Sequence, residues 1–144
     1  MIAELTHGGA IPVLERTVQF TGARHKVLTN NIANLSTPHY KPKDLDPEQF
    51  QAQLREAVEA RREGQGRPGQ PLKMGQSEQL SYENGQLHPE PQRQNENIMF
   101  HDRNNRNLER QMQNLAENTM MHRSSIRMLK NEFDLVNTAI RMRV

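Results

Sequence analysis

The chain has 144 residues, of which 33% are hydrophobic, 4% aromatic and 25% charged, and its mean hydropathy is −0.94. A chain of this length allows one domain. Its hydrophobic residues are too few to form a large self-contained core. We therefore expect helices that bury one face against partners, and no enzyme. The net charge of +2, with acidic and basic residues interspersed, argues against nucleic acid as a partner.

Two further features narrow the class of protein. The chain has no cysteine, which excludes disulfide bonds and cysteine–zinc sites. Residues 1–25 contain Glu4 and Glu15 and no continuous apolar run, so we expect neither a cleaved signal peptide nor a transmembrane helix there. If the chain leaves the cytoplasm, it must use another export route.

The first predicted element is a helix over residues 10–35, preceded by a flexible segment at residues 1–9. Its seam residues alternate three and four positions apart, which is typical of a coiled coil. A second apolar stripe, Val13, Phe20 and Val27, lies on another side and indicates a second neighbour. The seam residues that we predict to lie in an interface are Ile11, Leu14, Val18, His25, Leu28 and Ile32.

The end of this helix is rich in asparagine. Asn30, Asn31 and Asn34 lie close together, and Pro38 stops the helix. Each asparagine carries a donor and an acceptor, so the three side chains can fix how the helix end docks, on a neighbouring chain or on its own backbone. We predict a loop for residues 36–45.

A shorter helix is predicted over residues 46–62. Asp46 suits the N-cap, Pro47 the first helical position, and Gln49 can complete a capping box. We predict that residues 63–100 are largely irregular, because Gly and Pro dominate their start. Within them, the pair Asn84-Gly85 is a weak signal for a small β-hairpin.

The longest predicted helix covers residues 104–144 and would reach roughly 60 Å. A second stripe here, Met121, Met128, Leu135 and Met142, repeats every seven residues. The resulting fold class is mainly α: long N- and C-terminal helices in an antiparallel coiled-coil hairpin, a short middle helix and an irregular central segment. The predicted interface residues of the C-terminal helix are Leu108, Met112, Leu115, His122, Ile126, Leu129, Phe133, Val136 and Ile140.

Polar residues interrupt both seams: Thr21 and His25 in the first helix, Thr119 and His122 in the last. Such positions can specify the register of the helices at a cost in stability, or they can face a partner surface that keeps water at the contact. Both interpretations stay open. On the last helix, the basic residues Arg123, Arg127 and Lys130 are expected to be solvated or paired with a neighbouring subunit.

The sequence gives no support for catalysis, a metal or a cofactor. The six histidines lack metal-ligand spacing, and the glycines at 64–69 lack the Lys-Ser/Thr ending of a phosphate-binding loop. Ser124-Ser125 lies in the middle of a predicted helix with no base nearby in sequence. We therefore expect no enzyme, no cofactor and no small-molecule substrate.

The string from residue 30 to residue 41 reads Asn-Asn-Ile-Ala-Asn-Leu-Ser-Thr-Pro-His-Tyr-Lys. It resembles the N-terminal signature of the bacterial flagellar axial proteins, the family of rod, hook and hook–filament junction subunits. The resemblance resumes before the long C-terminal helix, and the stretch from Asp44 to Phe50 looks most like the proximal-rod members. The matching residues are Asn30, Asn31, Ile32, Ala33, Asn34, Thr37, Pro38, Tyr40, Lys41, Asp102, Asn104 and Asn105.

Three positions depart from the family pattern: His39 and Arg103 replace glycine, and Arg106 replaces valine. A Pro-Gly pair favours a type II turn, whose third residue needs a positive φ. Because a histidine is sterically disfavoured there, we expect a type I turn or an open loop at His39.

The resemblance implies a structural, non-catalytic rod subunit. It implies export through the flagellar type III apparatus without a cleaved signal peptide, and a place in the periplasmic part of the basal body. The implied partners are other rod proteins, export-gate or membrane-ring components and copies of the chain itself. Two alternatives stay open: a cytoplasmic export chaperone or adaptor, and an amphipathic protein that lies on a membrane surface.

Overall fold

The computed structural model describes residues 9–63, 72–93 and 108–142. The predictions for residues 1–8, 64–71, 94–107 and 143–144, which include Asp102, Asn104 and Asn105, lie outside these ranges. Most of the described residues are helical, as the composition predicts. The helices are α1 (Ile11–Ala33), α2 (Pro47–Glu63) and α3 (Leu108–Arg141), and the strands are β1 (Lys43–Asp44), β2 (Leu80–Glu83), β3 (Gln86–Pro89) and β4 (Gln92–Arg93).

The two long helices pack against each other in a hairpin. Asn31 of α1 bonds to Gln111 of α3, and Thr21, further from the end of α1, bonds to Asn118 and His122. A higher residue number in α1 thus meets a lower one in α3, so the helices run in opposite directions at these contacts. The hairpin agrees with the prediction, whereas its coiled-coil geometry stays a prediction.

The N-terminus of α2 forms where the sequence predicts it, but through a different bond pattern. The Asp46 carboxylate caps the helix by accepting a hydrogen bond from the backbone N–H of Glu48 at 2.8 Å. The predicted capping box is wrong, because the Asp46 N–H donates to Gln79 Oε1 at 3.0 Å. The Gln49 Oε1 atom is buried and has no hydrogen-bond partner within the described ranges.

The central segment is more ordered than predicted. Strands β2 and β3 pair antiparallel around Asn84-Gly85, which have φ values of 50° and 81°. Two consecutive positive φ angles are the mark of a type I′ turn, so the hairpin signal in the sequence is confirmed. The pairing of β1 with β4 has no counterpart in the prediction. It ties the loop after α1 to the segment that follows the hairpin.

A small apolar core packs α1 against the loop before α2, the start of α2 and the β2–β3 hairpin. It contains Phe20, Leu45, Phe50 and Leu80, each at most 1% exposed. The rings of Phe20 and Phe50 stack with centroids 4.1 Å apart. Phe20 and Val27 belong to the second stripe of α1, so the second neighbour predicted for this helix is this part of the same chain.

Candidate subunit interface

The face of α3 that packs against α1 is polar, contrary to the predicted apolar seam. Gln111, Asn118 and Ser125, spaced seven residues apart, are 2%, 2% and 6% exposed. They are the buried residues of α3 within the described part of the chain. We call these three positions the polar seam. The buried positions of α3 are therefore polar, and the coiled-coil geometry of the hairpin stays a prediction.

The predicted interface residues of α3 lie beside the polar seam. Met112 and Ile126 follow seam residues by one position, which is about 100° around the helix, and they are 57% and 44% exposed. Phe133 and Ile140 continue this line and are 39% and 43% exposed. Leu108 is also exposed, at 46%. The remaining predicted residues are half-buried: Leu115, His122, Leu129 and Val136.

A second apolar line lies on the other side of the polar seam. Met128, Leu135 and Met142 belong to the heptad stripe seen in the sequence, and they are 57%, 69% and 84% exposed. Met121, at the start of this stripe, is half-buried. All nine exposed large hydrophobic residues in the described ranges fall between residues 108 and 142. Helix α3 thus presents apolar side chains on both flanks of its contact with α1.

The predicted residues of α1 are better buried than those of α3. Ile11 and Leu28 are 2% and 0% exposed. Leu14, Val18 and Ile32 are half-buried, and His25 is exposed in the monomer, so its place in a subunit interface stays a prediction. The asymmetry has a clear cause, since α1 is covered from two sides whereas α3 touches one long helix.

Two of the four polar positions noted in the sequence meet across the hairpin. The Thr21 hydroxyl lies 2.8 Å from His122 Nδ1 and 2.7 Å from the Thr17 carbonyl oxygen. Asn118 Nδ2 donates to the Thr21 carbonyl at 2.9 Å. Thr119 bonds instead to the Leu115 carbonyl of its own helix. These bonds are directional, so they fix which turn of α1 faces which turn of α3.

Asn31 joins three parts of the chain. Its side chain is 1% exposed and donates to the Lys43 carbonyl at 2.6 Å and to Gln111 Oε1 at 3.3 Å. Its Oδ1 atom accepts from the Tyr40 hydroxyl at 2.9 Å and from the Lys43 N–H at 3.1 Å. One amide thereby connects the end of α1, the loop after it and α3.

The other asparagines of the string act locally. Asn34 Nδ2 donates to the Asn30 carbonyl at 2.9 Å, and its Oδ1 accepts from the Thr37 hydroxyl at 3.2 Å. Asn30 Nδ2 donates to the Tyr40 hydroxyl at 3.3 Å. Of the two docking modes open from the sequence, the structure shows the one within the chain. Ile32 is half-buried, whereas Ala33, Pro38 and Lys41 are exposed.

The turn after Pro38 corrects a prediction. His39 has a φ of 60°, and the Tyr40 N–H donates to the Thr37 carbonyl at 3.3 Å. The chain therefore makes a hydrogen-bonded turn whose third residue, His39, is left-handed. The prediction of a type I turn or an open loop is wrong here. Histidine is among the non-glycine residues that adopt this region more often than most.

The loop is anchored by an ion pair that the sequence argument missed. Arg24 Nε and Nη2 donate to the two carboxylate oxygens of Asp44 at 2.9 and 2.7 Å. Arg24 is 8% exposed, and Asp44 also accepts the Leu45 N–H at 2.8 Å. A bidentate pair of this kind fixes orientation as well as charge. The only sequence signal is an arginine beside an otherwise apolar stripe, which did not point to a partner.

A groove of about 650 Å³ lies between α1 and β3, lined mainly by apolar side chains such as Val18 and Leu87, and also by Lys26. Among residues 9–63, 72–93 and 108–142, no group of three or more histidine or carboxylate residues is placed to hold a metal ion. In the same ranges, no helix is both long and apolar enough to cross a membrane.

Comparisons of the chain with models of protein families, with curated proteins and with solved structures gave no match.

Proposed function

We propose that this chain is a structural subunit of the bacterial flagellar rod, of the proximal type represented by FlgB. The structural observation that supports an assembly role is the exposed apolar surface of α3, on both flanks of the polar seam. The assignment to the rod rests on the resemblance of residues 30–41 to the axial-protein signature. The intrachain bonds of Asn31 give that string a physical role in closing the end of the hairpin.

Assembly would bury the apolar surface of α3 between subunits. Complete burial of one large apolar side chain contributes about 1.5–3 kcal/mol, and nine such side chains are exposed in the described ranges. This gain must exceed the cost of fixing the subunit in place. In this proposal the coiled-coil packing predicted from the heptads is completed by helices of neighbouring subunits, because the apolar lines on both flanks of the polar seam stay exposed beside α1.

The proposal carries the remaining expectations with it. The subunit would leave the cytoplasm through the flagellar type III apparatus without a cleaved signal peptide, and would join the periplasmic rod near the membrane ring. Its partners would be other rod proteins, export-gate components and copies of itself. Contacts between different surfaces of successive subunits build an open helical tube, and close-packed long helices would give that tube the stiffness needed for torque.

Incorporation into isolated basal bodies tests the proposal. We expect Ile126→Asp to block incorporation while the chain is still synthesised and folded, because the carboxylate would be trapped in an apolar contact between subunits. The control is Gln76→Asp, an exposed position outside α3. Normal motility and incorporation of Ile126→Asp would contradict the proposal. Leu28→Asp is unsuitable for this purpose, since Leu28 is 0% exposed in the monomer and the change would unfold it.

An export chaperone or adaptor is the second candidate. The exposed apolar lines of α3 favour it as well, because an unfolded client would also cover them. The two functions differ in location: a rod subunit leaves the cytoplasm, whereas a chaperone stays there with its client. A membrane-surface protein would instead co-sediment with anionic liposomes, which a rod subunit has no need to bind.

A further inference from the structure

Two charged helix faces, one acidic and one basic, are exposed on different parts of the molecule. The acidic face of α2 consists of Glu56, Glu59 and Glu63. The basic face of α3 consists of Arg123, Arg127 and Lys130. All six residues are exposed, and no side-chain hydrogen bond or ion pair within residues 9–63, 72–93 and 108–142 involves any of them. Like charges three and four positions apart on a helix repel. Arg55 and Arg62 beside Glu59, and Asp134 beside Lys130, offset part of this repulsion, and a partner of opposite sign would stabilise each face further.

The spacing of the two faces is complementary. Along α3 the basic residues are four and then three positions apart, whereas along α2 the acidic residues are three and then four apart. Each face spans about 10 Å. When the two helices cross antiparallel, the steps coincide and all three charges find partners. The pairs are then Arg123 with Glu63, Arg127 with Glu59, and Lys130 with Glu56.

The basic face also adjoins the apolar surface that the proposed function uses. Ile126 lies three positions after Arg123 and four before Lys130, so it is their neighbour on the helix surface. Its side chain is 44% exposed. A helix seated on the basic face would therefore cover part of this side chain and add apolar burial to the ionic contact.

We infer that the acidic face of α2 in one copy of the chain docks antiparallel on the basic face of α3 in a second copy. The contact uses different surfaces on the two copies, so each copy keeps one free face for the next, and the array is open when the rotation between copies does not close a ring. The inference rests on the proposed function, for which it supplies one subunit contact. A second copy fits better than an anionic membrane, because a membrane would leave the acidic face without a partner and repel it.

Zero-length crosslinking with a carbodiimide tests the pairing directly, since it joins a lysine amine to a carboxylate in contact. Equal amounts of ¹⁴N- and ¹⁵N-labelled chain are mixed at low ionic strength and crosslinked. We expect mixed-isotope peptides that join Lys130 to Glu56. Crosslinks of Lys130 to Glu63 would overturn the antiparallel orientation. Crosslinks only within single-isotope pairs, or none at Lys130, would overturn the contact itself.

Charge reversal gives an independent measurement. We expect Arg127→Glu and Glu59→Lys each to weaken self-association about tenfold in sedimentation velocity at low salt, and the double variant to restore it. Added salt should weaken the wild-type contact, because the Debye length falls from about 30 Å at 0.01 M to about 8 Å at 0.15 M. The matched control is Gln76→Glu, which adds a negative charge at an exposed position outside α3 and should leave self-association unchanged.

The outcomes separate this contact from the proposed function. If the double variant fails to recover, or Gln76→Glu weakens association as much as Arg127→Glu, the charge pairing is wrong. If the chain enters basal bodies but shows no mixed-isotope crosslink at Lys130, this contact is wrong and the rod function stands. If it neither enters basal bodies nor crosslinks between copies, both are wrong.

Discussion

Replacing Asn31 with leucine, a side chain of similar size without polar atoms, tests the role of the asparagine string in the fold. The change removes two donated and two accepted hydrogen bonds that join α1 to the loop and to α3. A hydrogen bond contributes a net of about 0.5–1.5 kcal/mol, and a buried group left unpaired costs about 1–3 kcal/mol. Water can reach Lys43 and Tyr40 and offsets part of this loss. We therefore expect the free energy of unfolding to fall by about 2–4 kcal/mol.

Urea unfolding followed by far-UV circular dichroism measures this change, with the slope against urea expected to stay constant. Asn30→Leu is the matched control, because Asn30 precedes Asn31 in the same helix but is exposed. We expect it to lower the free energy of unfolding by less than about 1 kcal/mol. Equal effects at the two positions, or a stabilising Asn31→Leu, would refute the account of Asn31 as the residue that joins the three segments.

Four further predictions concern stability. Phe50→Ala should lower the free energy of unfolding by about 3–5 kcal/mol, and Phe133→Ala by much less, because Phe50 is 1% and Phe133 39% exposed; urea unfolding of both variants checks this. Asn118→Ala should cost about 1–3 kcal/mol in the same assay, since it leaves the Thr21 carbonyl without its partner at 2.9 Å. Gly85→Ala should cost about 1–2 kcal/mol, because Gly85 has a φ of 81°, and Asn84→Gly should be tolerated. Burial raises the pKa of Tyr82 to about 12, with Arg16 opposing the shift, so its contribution to stability is complete below pH 10 and is lost as the pH rises towards 12; Tyr82→Phe should flatten this decline in thermal unfolding measured across that range.

Element type and position could be predicted wherever the signal is local. The heptad spacing locates α1 and α3, Asp46-Pro47 locates the start of α2, and Asn84-Gly85 locates the hairpin turn. Each of these signals depends on backbone preference or on periodicity within a few residues. For that reason these signals can be recognised without knowledge of the tertiary structure.

The face that α3 turns towards α1 could not be predicted in the same way. Periodicity shows where the apolar residues of a helix lie, but it does not say which partner covers them. Here the polar line Gln111, Asn118 and Ser125 contacts α1, and the apolar lines are left outside. The heptad pattern does not say which helix covers each position: of the nine predicted interface residues of α3, four are half-buried in the monomer and five are exposed.

Contacts between residues far apart in the chain could not be predicted from the sequence either. The Arg24–Asp44 pair and the β1–β4 ladder join segments that carry no matching local signal. His39 adopts a left-handed conformation that is sterically disfavoured by a small amount. The two hydrogen bonds of Tyr40, one to Asn31 and one to Thr37, outweigh this cost. Of the asparagine string, the capacity to fix a helix end was predictable, and the choice of partner was not.

Photocrosslinking in living cells tests whether the exposed flank of α3 contacts other rod subunits. A photoreactive amino acid placed at Ile126, on the exposed flank of α3, is activated in motile cells that encode the chain, and the trapped partners are identified by mass spectrometry. The same amino acid at Lys73, an exposed position in the central segment, serves as the control. If the chain is a rod subunit, we expect crosslinks from position 126 to rod proteins, to copies of the chain or to export-gate components. Crosslinks only to a cytoplasmic client would contradict it and would favour the chaperone function.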